Sequence, residues 1–161
     1  VMNLSLGGQP DDLLARLLAT ADRRGITVVA ATLENPDDPG FPASLTTVIP
    51  VVACDVNGRI APLHWHGVAF VAAAPGIDVV APVPHAGHTL LSGSSLAAAH
   101  VTGVVALLLQ RAPQATPDQI RTTLRTTAKP IAGPNPAGTT RIGLVDACAV
   151  LARETPQLAC P

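Results

Sequence analysis

The apolar positions fall into short unbroken runs and longer periodic stretches, which predict strands and helices in alternation. Val1 to Leu6 (VMNLSL) is a run of strand length closed by Gly7-Gly8. Asp11 and Asp12 then offer helix N-caps. Leu13, Leu14, Leu17, Leu18 and Ala21 recur at helical spacing, with Arg23-Arg24 suited to the negative end of the dipole and Gly25 as a stop. Ile26 to Ala31 (ITVVAA) is a second apolar run. Strand, helix and strand at this spacing form one βαβ unit, so the two strands are expected to be parallel.

Beyond a polar loop at Glu34 to Gly40, Val48 to Cys54 is a third strand, with a bulge or sheet edge expected at Pro50 because proline cannot donate to a ladder. Val68 to Ala72 and Ile77 to Val80 are short extended pieces, and His85 to Leu91 reads as a hairpin turning near Ala86-Gly87. Ser95 to Arg111 is a helix apolar almost all round, so burial is expected, with Ala97, Ala98, Ala99 and Gly103 leaving room for close backbone approach. Thr116-Pro117-Asp118-Gln119 is a capping box opening a helix to about Thr127. Lys129 to Thr140 is a Pro/Gly loop, Val145 to Arg153 a short last helix, and residues 155 to 161 a loose tail after one domain spanning 1 to 154. The pattern gives an α/β class with a mostly parallel sheet.

Composition narrows the function classes. Apolar residues at 48% and charged residues at 13% allow a core, and aromatics at 2% mean it is built from Ala, Val and Leu. A net charge of -1 leaves no electrostatic footprint for nucleic acid. No apolar run reaches the roughly 18 residues of a membrane span. Val1 stands inside an apolar stretch with no initiator Met, so the sequence reads as part of a longer chain. Among Cys54, Cys148 and Cys160, the last two could staple the tail in an oxidising compartment, or all three could be small apolar residues.

Ser95 carries the candidate chemistry. A Gly precedes it by two positions and a helix follows it, so its hydroxyl stands where unpaired N–H groups favour negative charge. An oxyanion formed on Ser95 could sit near the Ser95 backbone N–H, although Ser94 or Ser95 could equally serve only as the helix cap. His64-Trp65-His66, His85 and His88 lack the converging set that zinc needs, so no metal site is expected.

The stretch Ser92-Gly93-Ser94-Ser95-Leu96-Ala97-Ala98-Ala99-His100-Val101-Thr102-Gly103 resembles the subtilase nucleophile motif S-G-T-S-M-A-x-P-H-V-x-G. Asn3 to Gly8 resembles the family's N-x-S-L-G-G strand, and Phe41 to Ser44 its Y-P-A-S turn. Ala73 to Gly76 resembles its A-P-G, and Gly143 to Ala147 its G-x-V-N/D-A. These segments, in order, cover nearly the whole chain. The resemblance implies a partial, three-layer subtilisin-like fold, the C-terminal half of a serine endopeptidase domain.

It further implies Ser95 as nucleophile, Ser5, Leu6 and Gly7 as substrate-binding residues, and His100 as structural. At the oxyanion position a direct alignment places Glu34, and one inserted residue places Asn35. The D-T/S-G and H-G-T segments that supply the family's Asp and His occur nowhere in the 161 residues, so the chain alone is expected to be inactive. The alternative is a non-catalytic relative that binds peptides or proteins. The expected partners are a peptide substrate and the missing N-terminal half, with self-association through an open sheet edge. No cofactor is expected, calcium being allowed by the resemblance without an identified site. Export, to periplasm or medium, is favoured by the resemblance alone.

Overall fold

A computed structural model describes residues 1–85, 87–131 and 140–154. β1 (Met2–Leu4), α1 (Asp12–Arg23) and β2 (Val28–Ala31) form the expected βαβ unit, with Met2 opposite Val28 in parallel register. Asp11 is the N-cap of α1: its side chain accepts from the Leu14 N–H at 2.7 Å, and Asp12 falls inside the first turn. β3 (Val48–Cys54) and β4 (Phe70–Pro75) continue the parallel sheet. Chain order then leaves the sheet for a separate antiparallel hairpin, β5 (Val79–Val83) with β6 (Gly87–Leu91). The long α2 (Ser94–Arg111), α3 (Pro117–Thr127), β7 (Lys129–Pro130), β8 (Arg141–Leu144) and α4 (Ala147–Ala152) follow. The six-stranded sheet runs β1-β2-β3-β4-β8-β7, so β1 is an edge.

Register decides which face each residue serves. Val29, Ile49, Val51, Ala72 and Ala74 share the face packed by Ala97, Val101, Val105 and Leu108 of α2, with Ile120 and Leu124 of α3 and Val150 of α4. The alternate residues point the other way. Val28, Ala30 and Val48 meet Leu18 of α1, while Val52, Val71 and Ala73 meet Leu63 and Trp65 from the β3–β4 loop. The result is three layers: helices α2 to α4, the sheet, and α1 with the Trp65 loop.

Four expectations change. Pro50 sits in an interior strand, opposite Ala30, and is tolerated because the ladder to β4 begins one residue later, at Val51 opposite Ala72. α2 is buried on one face only: Ala99, His100, Gly103 and Ala106 are exposed, and Leu107 is 48% exposed. A Cβ on Gly103 would meet nothing within 4 Å, so the close approach involves Ala97 and Ala98 instead. The segment from 141 to 144 is a strand, made so by β4 on one side and β7 on the other. The capping box of α3 is present as expected: Gln119 N–H donates to Thr116 Oγ1 and Thr116 N–H to Gln119 Oε1. Ala86 of the hairpin turn, most of the Pro/Gly loop and the tail from 155 lie outside the described residues.

Asp146 caps α4 and gives a pH prediction. The Lys129 ammonium at 2.8 Å, then the Ala149 N–H at 3.0 Å, hold its carboxyl below the usual range. A carboxylate with a depressed folded pKa adds stability that is complete above its unfolded value of about 4 and is lost as pH falls through the lower folded value. The stability gap between the wild-type chain and Asp146→Asn is therefore full near neutrality and closes in acid, as urea unfolding across that range would measure.

Candidate active site

The candidate residues gather at the carboxyl ends of the parallel strands, the usual place for a crevice in an open α/β sheet. β1 ends into Ser5-Leu6-Gly7-Gly8, and β2 ends into Thr32 to Asn35. β4 ends at Pro75 beside Gly76, the hairpin returns to Ser92, and α2 starts there. Gly76 seats the helix. Its C=O accepts the Gly93 N–H at 2.7 Å, and a Cβ on it would lie 2.8 Å from the Gly93 oxygen and 3.1 Å from the Ala97 Cβ. Ser92 is fixed just before this by the Asp78 N–H, which donates to its Oγ at 2.9 Å.

The two serines at the start of α2 have separate jobs. Ser94 is 9% exposed, and its hydroxyl donates to the Thr32 C=O at 2.6 Å, tying the helix to the end of β2. Ser95 is exposed. Neither caps the helix, since the N-cap is Gly93 with no side-chain cap bond. The capping interpretation of these serines therefore fails, and among the described residues no side-chain cap bond takes up the first-turn N–H groups. Ser94→Ala leaves a buried carbonyl without this donor and should cost about 1–3 kcal/mol, whereas Ser95→Ala should stay within about 0.5 kcal/mol. The two urea midpoints check that contrast.

The Ser5 segment comes to the same place. Ser5 Oγ–H donates to the Ser95 C=O at 3.2 Å, Asn3 Nδ2–H donates to Ser5 Oγ at 3.0 Å, and Thr102 Oγ1–H donates to Asn3 Oδ1 at 3.0 Å. Ser5, Leu6 and Gly7 are exposed beside the exposed serine. Glu34 and Asn35 both border a cavity of about 660 Å3 that Ser92, Gly93 and Ser94 also line. Its wall is otherwise largely apolar, with Val52, Ile60, Leu63 and Ile77. Asn35 also shapes its own turn, since its Oδ1 accepts the Asp37 N–H at 2.9 Å.

Sequence reasoning missed what holds that turn. Trp65, 1% exposed, donates its indole N–H to the Asn35 C=O at 3.0 Å. The His64 backbone N–H donates to the Pro36 C=O at 2.7 Å. His64 Nδ1 lies 3.0 Å from an Asp37 carboxylate oxygen, and because a carboxylate only accepts, that nitrogen carries the proton. A single tryptophan flanked by histidines was the available signal, but the partners lie 27 to 30 positions away.

His100 is also committed: its Nδ1 lies 3.0 Å from the Leu96 C=O of its own helix. Among the described residues no histidine hydrogen-bonds to Ser95. Cys54 is a buried free thiol, which burial and then the Asp55 charge push up in pKa, away from reactivity. The expected Cys148–Cys160 staple involves Cys160, outside the described residues. Among the described residues no group of three or more His, Cys, Asp or Glu side chains is placed to hold a metal ion. No helix among them is long and apolar enough to cross a membrane.

Known proteins are similar to this chain in sequence and fold. The chain is 35% identical to M-protease of Shouchella clausii over 91% of its own length and 38% of that protein. It is 34% identical to Subtilisin BL of Lederbergia lenta, over 91% of the chain and 54% of the relative. It thus spans about half the length, or less, of these relatives. Among solved structures, a protease from Pseudoalteromonas arctica superposes with a TM-score of 0.82 at 29% identity, over 95% of this chain and 50% of that one. The prenylagaramide maturation protease PagA gives 0.77 at 28% identity, over 96% and 61%. The family model for the Subtilase family matches residues 1–144. With that match over most of its length, the chain belongs to the Subtilase family.

Proposed function

We propose that this chain is the nucleophile-bearing part of a subtilisin-like serine endopeptidase, with Ser95 attacking the scissile carbonyl. The observation that carries the reading is the exposed Ser95 at a helix start with no side-chain cap bond among the described residues, and with Ser5 in contact beside it. Those N–H groups are suited to a tetrahedral oxyanion. The peptide substrate lies as an added strand along Asn3 to Gly8, and Ser5, Leu6 and Gly7 are its contacts. Asn35 supplies a second oxyanion donor. The Asp and His come from a preceding segment, which also covers the open edge of β1 and the exposed face of α2. Without it, that edge promotes self-association. Export, to periplasm or medium, belongs to the same reading.

A second reading has its own support. Glu34 stands at the directly aligned oxyanion position, where a carboxylate repels developing negative charge, and the 161 residues contain neither D-T/S-G nor H-G-T. In that reading the domain binds peptides or proteins without cutting them. Translating the gene ahead of Val1 decides between the two. D-T/S-G followed by H-G-T supports the peptidase, and a coding sequence in which either residue is replaced supports the binding domain.

A further inference from the structure

The groove beside Ser95 has unequal space on its two sides. On the Ser5–Gly7 side the gap is already filled. A Cβ on Gly7 would lie 2.7 Å from Leu33 Cδ2, and one on Gly40 would lie 2.5 Å from Leu33 Cδ1. The Leu33 side chain therefore packs into the space that these two glycines leave between the Ser5 segment and the loop closing at Gly40. It is held there at its root: the Leu33 N–H donates to the Pro39 C=O at 2.9 Å, and the preceding residue, Thr32, accepts from Ser94. Yet Leu33 is 42% exposed, so part of its surface remains open to a bound molecule. Leu33 also borders the 660 Å3 cavity, which remains open and is lined by Ile60, Leu63 and Ile77.

Resting on the peptidase reading, we infer that Leu33 is a specificity-determining residue. It restricts the position bound at Gly7 to a small side chain such as alanine. The open cavity beyond it takes the larger apolar side chain of the residue across the scissile bond. An apolar wall offers no hydrogen bond to lose, so selection on the Gly7 side works by exclusion of volume.

The test is peptide binding, which does not need the complete catalytic set. The probes are acetyl-Ala-Ala-Pro-Ala amide and acetyl-Ala-Ala-Pro-Phe amide, titrated into the chain while the Gly7 and Gly40 amide resonances are followed. The wild-type chain binds the alanine peptide at least about 10-fold more tightly, and Leu33→Ala reverses the order by gaining about 10- to 200-fold for the phenylalanine peptide. Leu33→Met, which conserves volume, keeps the wild-type order and controls for folding. Equal binding of both peptides by the wild-type chain overturns the role of Leu33 while leaving the groove intact. Binding of neither peptide by any of the three proteins overturns the groove along Ser5 to Gly7, and the specificity with it.

Discussion

On the peptidase reading, peptide hydrolysis falls on the order of 10^6-fold in kcat when Ser95 becomes Ala in a polypeptide that joins this chain to an upstream segment carrying D-T/S-G and H-G-T. That magnitude is the loss known for a subtilisin deprived of its nucleophile or its base, so it is taken from a relative. The reason lies in how the parts act. In that reading the helix start and the Ser5 segment bind and polarise the carbonyl, and the Ser95 oxygen forms the acyl bond. What survives is a residual acceleration of about 10^3- to 10^4-fold over water from binding and the oxyanion donors. The same reasoning separates the neighbours. Ser94 is bonded inward to Thr32, so Ser94→Ala acts through stability. A steady-state assay on both variants, with unfolding midpoints measured in parallel, shows whether loss of rate and loss of fold divide between the two residues in this way.

The second large effect is at the turn after β2. On the same reading, Asn35→Ala in the completed domain lowers kcat by about 10^2- to 10^3-fold, the usual loss for one oxyanion donor, with little change in KM. Glu34→Gln removes a negative charge beside the same cavity and leaves kcat unchanged or raises it. The structure frames the contrast: both residues border the cavity that reaches Ser94, and the Asn35 carbonyl is clamped by the Trp65 indole. The Asn35 Oδ1 also accepts the Asp37 N–H, and on the peptidase reading that bond would orient the side-chain amide before the charge develops. An unchanged kcat in Asn35→Ala together with a raised kcat in Glu34→Gln would place Glu34, and not Asn35, at the oxyanion position.

Much of this was legible in residues that act locally. Asp11, Gly25 and the Thr116-Gln119 box fix helix ends through contacts within a few positions, so pattern alone located them. The Ser92-to-Gly103 motif was equally plain, because its spacing belongs to one turn and one helix. Features made by distant partners were not. Arg141 to Leu144 is a strand because β4 and β7 flank it, and four residues after a Pro/Gly loop carry too weak an alternation to say so. Pro50 argued for an edge, yet its missing N–H falls where the β4 ladder has not begun. α2 looked buried all round because small apolar residues fill both faces, and hydropathy does not tell a packed alanine from an exposed one. Leu33 gave no sign of its position, since Gly7 lies 26 residues before it in sequence and meets it only through the fold.

The most direct measurement is mass spectrometry after incubation with a fluorophosphonate, with the labelled peptide mapped. The 161-residue chain should remain unmodified at position 95, and the chain joined to its upstream Asp and His should gain one adduct there, at Ser95. Rapid stoichiometric labelling of the short chain, or an adduct on any other serine in the completed one, would contradict a nucleophile that waits for its base.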